Sequence, residues 1–298
     1  MMPCYNGADT LPLALASLLA QTEPRWECVL GDDGSKDHPE RVVEHIGDDR
    51  IKLIRLDQNM GRGVARQVAL EAVQGQYLAF LDADDWVYPD KLAKQLAFME
   101  ANPSVCLFSM SMAVVDFTGH IAGIRRLAPP GSGVTISEPL PAPRPLPVAF
   151  APSMIRMEAA KSARFDPYLR LAQDTDFLIQ ILLGQRFALT DESSYVYTEL
   201  SSRTPNKVMR AYKYSQHIFR KYLDSHPMAS RREIAKYKAK HALLYTLDKV
   251  GMGQRFSVRP MPRPQYHELD AFHSARAAVQ DQMARLGWAS NNTHGAQR

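Results

Sequence analysis

Short apolar runs alternate with longer amphipathic segments along the first 115 residues of the chain. The apolar runs are typical of buried strands and cover Met1–Cys4, Trp26–Leu30, Ile51–Leu56, Tyr77–Leu81 and Val105–Val115. The segments between them carry apolar residues on one helical face and cover Leu11–Gln21, Pro39–Ile46, Gly63–Val73 and Pro89–Ala101. Because strands alternate with helices, the pattern predicts an α/β fold, a mostly parallel sheet flanked by helices.

The pattern changes after residue 128. Pro129–Pro147 is rich in Pro, Gly and Ser and predicts a mobile loop or crossover. Further helices are predicted over Met154–Ala163, Gln173–Gln185, 206–224, 229–250 and 267–287, and short strands over Phe187–Thr190 and Ser194–Glu199. We therefore predict a body of residues 1–203 and a C-terminal helical extension of residues 204–298.

Charge is distributed unevenly between these two parts. Residues 1–202 contain 18 Lys and Arg against 26 Asp and Glu, whereas residues 203–298 contain 18 against 6. A basic extension beside an acidic body suggests contact with an anionic surface such as lipid, and the plain alternative is a solvated helical surface. Its aromatic spacing does not resemble a nucleic-acid stacking platform, so no nucleic acid partner is expected.

Composition narrows the class of protein. With 298 residues, 45% apolar and 23% charged, the chain is typical of a globular protein. Cys4, Cys28 and Cys106 form no CxxC motif, which predicts reduced thiols and no zinc site. The apolar stretch Leu11–Ala20 is too short to cross a bilayer and no signal peptide is evident, so we expect a cytoplasmic protein.

Two acidic loops follow predicted strands. Asp32-Asp33 comes after Trp26–Leu30, and Asp82-Ala83-Asp84-Asp85 comes after Tyr77–Leu81. In parallel sheets ligands bind at the carboxyl ends of the strands. Closely spaced carboxylates repel one another, and a hard divalent cation relieves that repulsion while it holds phosphate oxygens. We therefore predict a Mg²⁺ or Mn²⁺ site at Asp82 and Asp84.

Basic residues lie in the segment Asn59-Met60-Gly61-Arg62-Gly63 and at Arg66. The Gly-x-Gly spacing lacks the third glycine of a dinucleotide fingerprint and is a weak motif by itself. The segment forms either the flexible start of a helix or, together with Arg62 and Arg66, a binding site for a diphosphate.

In this order these motifs resemble family 2 glycosyltransferases of the GT-A fold, in particular those of bacterial cell-surface polysaccharides. The matching pieces are Pro3-Cys4-Tyr5-Asn6-Gly7, Leu18 to Thr22, Trp26 to Ser35 with Gly31-Asp32-Asp33-Gly34, Asn59 through Arg66-Gln67, and Gly75 to Asp85. The resemblance is strong over residues 3–115 and weaker over 150–200. It implies a nucleotide-binding half, 1–115, and an acceptor half, 116–203.

The resemblance implies a role for each matching residue. Tyr5 stacks on the nucleobase of a sugar nucleotide, and Asp32 accepts a hydrogen bond from it, with main-chain contacts near Pro3. The remaining positions concern the phosphates and the cation: Arg66 near the diphosphate, Asp82 on ribose or metal, and Asp84 directly on the metal. Asp33 is expected to support its loop rather than the ligand.

The family's general base is an acidic residue at the start of a helix in the acceptor half. Asp174 in Leu171-Ala172-Gln173-Asp174-Thr175-Asp176 matches that position. Asp174 and Asp176 are two residues apart and cannot share one helical face, so only one is expected to point into the cleft. The plain alternative for either is a carboxylate that stabilises the helix N-terminus.

The chain departs from the family pattern at several positions. Gln173 stands where an acid commonly precedes the base, Gln67 stands where Asn is frequent, and Tyr197-Thr198-Glu199-Leu200 lacks the Arg and His that often follow the last strand. Two other functions are therefore kept open. One is a catalytically silent sugar-nucleotide-binding or scaffold protein; the other is a nucleotidyltransferase, which the lack of Arg or Lys after the first strand disfavours.

The function implied is metal-dependent, inverting transfer of a sugar from a nucleoside diphosphate to a hydroxyl of a glycan or lipid-linked glycan, and uridine diphosphate is the expected carrier of the sugar. Asp174 takes the hydroxyl proton. The process implied is cell-envelope or exopolysaccharide synthesis, with the basic extension at the inner face of the plasma membrane. The Pro129–Pro147 loop is expected to close over the donor.

Overall fold

The computed structural model describes residues 1–116, 118–198, 204–257 and 261–288. Its strands are β1 Met2–Cys4, β2 Cys28–Asp32, β3 Ile51–Arg55, β4 Tyr77–Ala79, β5 Trp86–Val87, β6 Val105–Val115, β7 Ile121–Arg125, β8 Val134–Ile136, β9 Ser153–Arg156 and β10 Arg186–Thr198. Its helices are α1 Leu11–Leu19, α2 Pro39–Ile46, α3 Arg62–Ala72, α4 Lys91–Ala101, α5 Met157–Lys161, α6 Gln173–Leu182, α7 Pro205–Arg220, α8 Pro227–Lys249, α9 Gly253–Ser257 and α10 Tyr266–Arg285.

The first sheet is parallel throughout. Its order is β1-β2-β3, with Met2 opposite Leu30 and Leu30 opposite Leu53. Hydrogen bonds from the Met1 amine to the Ala79 carbonyl (2.9 Å) and from the Leu81 amide to the Met1 carbonyl (3.2 Å) connect it to the second sheet. The carboxyl ends of β1 and β2, and the chain that follows β4, therefore lie along one rim.

The second sheet has seven strands and mixes both directions. Its main path is β4-β9-β6-β10-β5; β6 and β10 are parallel, whereas β9 runs antiparallel to both of its neighbours. β6 is buried along its whole length because helices cover both faces of the sheet around it. The predicted α/β architecture is confirmed, and the helices flank parallel-rich sheets.

Several elements differ from the predictions after residue 128. Met154–Ala163, predicted as one helix, begins as strand β9, because this short stretch fills the gap between β4 and β6 and pairs their backbone groups. The two short strands predicted over 187–199 are one strand, β10, whose register shifts between Leu189 and Tyr195 accommodate its polar residues. Glu199, included in that prediction, lies outside the described residues.

The segment Pro129–Pro147 is not simply a loop. Val134–Ile136 pairs as β8 with Ala188–Thr190, and Leu140 is buried in the core. Thr190 lies eight residues before Thr198, about 25 Å along β10 from the end that meets the acidic loop. This anchoring does not fit the lid predicted to close over the donor.

Helix α3 packs directly on β2 because Gly31 has no side chain. A Cβ at Gly31 would lie 2.6 Å from the Ala65 carbonyl oxygen, a distance that no side chain tolerates. The close approach brings the N-terminus of α3, with Arg62 and Arg66, to the rim of the sheet.

The C-terminal helices divide between two places. α7 and α8 form an antiparallel hairpin in which Tyr237 packs against Tyr212 and Phe219. α10 returns to the body, where Phe272 packs on Trp86 and Glu268 pairs with Arg126. The boundary at residue 203 stays a prediction. Within the described residues, no helix has both the length and the apolar character needed to span a lipid bilayer.

Candidate active site

The rim formed by β1 and β2 brings together Pro3, Tyr5 and Asp32. Pro3 lies in β1 opposite Gly31, and Tyr5 follows that strand with 48% of its surface exposed, so it is not a core residue. Asp32 ends β2 and is fully buried. Its Oδ1 accepts hydrogen bonds from the amide (3.0 Å) and the hydroxyl of Ser35.

The second carboxylate oxygen of Asp32 has no hydrogen-bond partner among the described residues. Arg55 Nε lies 3.7 Å away, which is an ion-pair distance rather than a hydrogen bond. A buried anionic oxygen without a donor is costly, and a ligand N–H in its place removes that cost. This geometry fits the hydrogen-bond acceptor predicted at Asp32.

Asp33 does not face a ligand. Its carboxylate accepts hydrogen bonds from the amides of Met60 (2.7 Å) and Gly61 (2.9 Å). These contacts hold the loop that precedes α3, which confirms the supporting role predicted for Asp33. Gly61 has a φ of +99°, a conformation that side chains other than hydrogen disfavour, so the loop requires glycine there.

The second acidic loop holds three carboxylates side by side. Among the described residues, oxygens of Asp82, Asp84 and Asp85 all lie within 4.8 Å of one another. Partial desolvation in the concave rim, followed by the negative charge of Asp82, raises the pKa of Asp84, although its side chain is exposed to solvent. Hard oxygen ligands with excess negative charge suit Mg²⁺ or Mn²⁺, so the donor set fits the predicted cation.

Asp85 is the member of this cluster that the protein itself holds. It is buried, with hydrogen bonds from the Tyr195 hydroxyl (2.6 Å) and the Thr198 amide (2.8 Å). Burial, and then the charges of Asp84 and Asp82, raise its pKa well above the usual range. The Tyr195 hydroxyl also accepts a hydrogen bond from the Asp82 amide (3.1 Å), so a side chain of β10 holds the acidic loop in position.

Arg66 lies against the acidic loop rather than in open solvent. Its Nη2 is 2.9 Å from Asp82 Oδ1, and its guanidinium packs over the Phe150 ring at 4.7 Å. Arg66 is buried and its Nε has no hydrogen-bond partner among the described residues. The pairing balances one of the three carboxylates and orients Asp82.

Arg62 is exposed at the first turn of α3. Desolvation lowers the pKa of its guanidinium, but the charges of Asp82, Asp84 and Asp174 raise it overall. The sequence suggested a phosphate contact for Arg62 but not the influence of Asp174 on its pKa.

The two aspartates of α6 point in different directions. Asp174 is half-buried in the first turn, and its Oδ1 accepts from the Thr175 amide (2.8 Å). Asp176 is fully buried and pairs with Lys221 at 2.8 Å and Gln180 at 3.0 Å, which joins α6 to α7. Asp176 is therefore engaged in the packing of α6 against α7, and the assignment of Asp174 as the residue that faces the cleft stays a prediction.

The segment between α5 and α6 docks onto the start of α3. Arg170 Nη1 donates to the Met60 carbonyl (2.9 Å), and the Phe165 amide donates to Gln67 Oε1 (2.9 Å). Gln67, which departs from the family pattern, thus links the two halves of the molecule. Of the other departures, Gln173 is buried, whereas Glu199 and Leu200 lie outside the described residues.

Sequence reasoning missed two residues of this region. Tyr195 lies 110 positions from Asp85 and follows polar residues that predicted a strand break, so no local signal marked it. Phe150 follows the proline-rich segment, and only the fold places it under Arg66.

Comparison with known proteins finds similar sequences for the N-terminal part of the chain. The family model of Glycosyl transferase family 2 matches residues 1–138. The putative teichuronic acid biosynthesis glycosyltransferase TuaG of Bacillus subtilis is 41% identical over 120 residues, which cover 40% of this chain and 44% of that protein. The succinoglycan biosynthesis protein ExoO of Rhizobium meliloti is 41% identical over 101 residues, covering 34% of this chain and 29% of that protein.

A third relative carries a more specific name. The Escherichia coli UDP-Glc:alpha-D-GlcNAc-diphosphoundecaprenol beta-1,3-glucosyltransferase WfgD is 37% identical over 102 residues, covering 34% of this chain and 40% of that protein. The chain thus spans less than half the length of each of these three relatives.

Solved structures agree on the fold over nearly the whole chain. Residues 1–349 of S. aureus TarS, crystallised in complex with UDP, superpose with a TM-score of 0.64 at 21% identity, covering 96% of this chain and 81% of that one. The predicted GT-A fold is confirmed. Residues 1–138 of this chain are thus similar to glycosyl transferase family 2 and to relatives that are named for teichuronic acid and succinoglycan biosynthesis.

Proposed function

We propose that this protein is a metal-dependent, inverting glycosyltransferase that moves a sugar from a nucleoside diphosphate sugar to a hydroxyl acceptor. The observation that carries the proposal is the carboxylate cluster of Asp82, Asp84 and Asp85, whose oxygens lie within 4.8 Å of one another. Arg66 pairs with this cluster at Asp82, and the unpartnered oxygen of Asp32 lies at the rim of the first sheet.

The donor binds across the rim of the first sheet. Tyr5 stacks on the nucleobase, Asp32 accepts from a base N–H through its unpartnered oxygen, and the main chain near Pro3 adds contacts. Arg62 and Arg66 face the diphosphate from the start of α3. A nucleoside diphosphate fits this arrangement because it brings an aromatic base, a hydrogen-bond donor and concentrated negative charge.

Asp84 and Asp82 hold Mg²⁺ or Mn²⁺. When bound, the cation neutralises charge that develops on the departing diphosphate. Asp85 does not enter the site but keeps the loop in place through Tyr195 and Thr198. Arg66 orients Asp82 by its ion pair.

Asp174 acts as the general base. Its carboxylate takes the proton of the acceptor hydroxyl while that oxygen forms a bond to the anomeric carbon. The bond from the same carbon to the diphosphate breaks, and the nucleoside diphosphate leaves. Attack from the face opposite the leaving group inverts the configuration at that carbon.

The names of similar proteins support a uridine nucleotide and an envelope glycan. TarS structures are described as complexes with UDP and with UDP-GlcNAc, and WfgD is named for a UDP-glucose donor and a diphosphoundecaprenol-linked acceptor. We propose a UDP-sugar donor and a glycan or lipid-linked glycan acceptor for this chain.

We also propose that the protein works at the inner face of the plasma membrane through its basic extension. Leu243, Tyr245, Val250, Met252 and Phe256 are large apolar residues exposed around the α8–α9 turn, and Lys249 and Arg255 lie among them. Apolar side chains flanked by cations bind anionic lipid surfaces. Co-sedimentation with vesicles that does not change with their anionic lipid content would contradict this part.

The test of the proposed function measures binding and turnover separately. Thermal shifts with UDP and UDP-sugars in Mn²⁺ report donor binding, and release of UDP from a UDP-sugar reports turnover. We expect Asp174→Asn to retain the Mn²⁺-dependent thermal shift and to lose turnover by at least a hundredfold. Glu158→Gln, an exposed carboxylate on α5, serves as the matched control with unchanged turnover.

The alternatives give different results in the same experiment. A scaffold protein binds the nucleotide but releases no UDP from any donor, with or without acceptors. A nucleotidyltransferase makes pyrophosphate from a nucleoside triphosphate instead. Full turnover in Asp174→Asn would assign the base to another residue.

A further inference from the structure

A groove separate from the donor site lies between α7 and the segment that leads to α6, and we call it the α7 groove. Its volume is about 380 Å³, within the range of small-ligand sites, and its lining consists of Tyr168, Leu169, Arg210, Lys213, Tyr214 and His217. None of these residues belongs to the donor site described above. Tyr168 is 83% exposed, so the groove is bordered by an aromatic side chain that faces solvent.

The groove is cationic. Arg210, Lys213 and His217 are spaced three and four residues apart, on one face of α7, and all three are exposed. Arg210 and Lys213 form no ion pair with any residue that the structure describes. The nearby carboxylate of Asp166 lies 2.6 Å from Lys221, which also pairs with Asp176, and 3.8 Å from His217, so the positive charge of the groove comes from Arg210 and Lys213. Such a surface suits a phosphate or diphosphate.

The groove lies close to the proposed base. Leu169 lines it and precedes Asp174 by five residues, so their Cα atoms are at most about 18 Å apart. The same segment contacts the start of α3 through Arg170 and Met60. A ligand whose anionic group occupies the groove therefore extends towards the N-terminus of α6 when its sugar points along this segment.

Exposed apolar residues lie at the end of the α7–α8 hairpin that holds Arg210. Tyr237 of α8 packs against Tyr212 and Phe219 of α7, which sets the register of the antiparallel hairpin. With this register Arg210 lies level with the region of Leu243, where the exposed apolar residues of the α8–α9 turn begin. Arg210 and Tyr212 are two residues apart, so the groove and α8 lie on different sides of α7.

We propose that the α7 groove is the binding site for the diphosphate of a lipid-linked acceptor. This proposal rests on the proposed function. The diphosphate binds between Arg210 and Lys213, the sugar hydroxyl extends towards Asp174, and the lipid extends towards the end of the hairpin at which the apolar residues of the α8–α9 turn are exposed. A neutral glycan acceptor uses neither the groove nor the apolar turn.

The experiment compares two synthetic acceptors that differ only in the linker. Both carry GlcNAc and the same short alkyl chain; one is joined through a diphosphate and the other through an uncharged ether. We expect Arg210→Gln/Lys213→Gln to raise the KM for the diphosphate acceptor at least tenfold. The KM for the ether acceptor, the kcat and the donor hydrolysis without acceptor stay unchanged.

Arg231→Gln/Arg232→Gln is the matched control. It removes the same charge from exposed positions on α8 outside the groove and is expected to leave every constant unchanged. An equal KM change in both double variants, or none in either, would overturn the groove assignment. Loss of binding to anionic vesicles with an unchanged KM would also overturn it, because the groove would then contact lipid headgroups.

Direct binding separates this proposal from the proposed function. Calorimetric titration with the diphosphate acceptor, without donor, is expected to give heat with the wild-type protein and the control but not with Arg210→Gln/Lys213→Gln. If no donor is turned over while this difference in binding persists, the transferase proposal fails and the groove stands. If turnover is normal and the binding is equal, the groove fails alone.

Discussion

The two acidic loops at the rim are built alike, but the negative charge of each loop is balanced in a different way. In each loop one carboxylate serves the protein: Asp33 holds the amides before α3, and Asp85 holds Tyr195 and Thr198. Each loop also leaves carboxylate oxygen for a ligand, on Asp32 in the first and on Asp84 in the second.

The difference lies in how each charge is balanced. Asp32 is buried among neutral donors, with Arg55 at its edge, and needs one more hydrogen-bond donor. Asp84 has two carboxylate neighbours within 4.8 Å, and only Asp82 has an ion pair with Arg66. The first loop is therefore suited to a neutral N–H donor, whereas the second is suited to a cation. Aspartates at one rim thus bind different chemical groups because their surroundings differ.

The largest effect is expected at the second loop. Asp84→Asn removes the charge that holds the cation, so turnover of a UDP-sugar at saturating Mn²⁺ falls by about 10²–10³-fold. Steady-state UDP release measures it. The exposed Asp49→Asn serves as the control with wild-type turnover. Turnover within threefold of wild type in Asp84→Asn would place the cation elsewhere.

At the first loop the effect is expected in binding. Asp32→Asn replaces the unpartnered oxygen or its bonded neighbour by an N–H₂ donor, which weakens UDP binding by about 10–100-fold. The dependence of turnover on Mn²⁺ concentration stays unchanged, because Asp32 is not a metal ligand. Calorimetry with UDP measures the affinity, and a changed Mn²⁺ dependence would break the distinction between the loops.

A smaller effect is expected at Tyr195, which supports the second loop. Tyr195→Phe leaves buried Asp85 Oδ2 without its donor and the Asp82 amide without its acceptor, which lowers the free energy of unfolding by about 1–3 kcal/mol. Mn²⁺ affinity falls severalfold because the loop loses its support. Tyr88→Phe is the matched control, since that buried hydroxyl has no hydrogen-bond partner among the described residues. Equal denaturation midpoints for both variants would exclude the supporting role.

The smallest effect is expected in the pH dependence of stability without metal. Because the folded protein raises the pKa of Asp84, ionising it costs more in the folded than in the unfolded state. Asp84→Asn therefore raises the melting temperature at pH 7, and the gain disappears as the pH falls below the unfolded pKa. Thermal melts in EDTA from pH 3 to 7 measure it, and a gain that grows on acidification has the wrong sign.

Sequence patterns predicted most helices and strands of the first half of the fold. The alternation of runs placed β1 to β4 and α1 to α3 within a few residues, because most positions of these strands are apolar and polar or turn residues separate them from the helices. After residue 128 the signal weakened: β9 has only Met154 and Ile155 as apolar residues, and β8 is exposed. Those strands form because neighbouring strands supply hydrogen bonds, which a local pattern does not encode.

For the candidate site, the residues at strand and helix ends followed from the sequence: Asp32 and Asp33 at the end of β2, Asp82 to Asp85 after β4, and Asp174 at the start of α6. Their partners became visible with the fold, such as Lys221 for Asp176, Arg66 for Asp82 and Tyr195 for Asp85. Periodicity sets the position of a residue within its element, whereas the balance of a buried charge depends on side chains from distant parts of the chain.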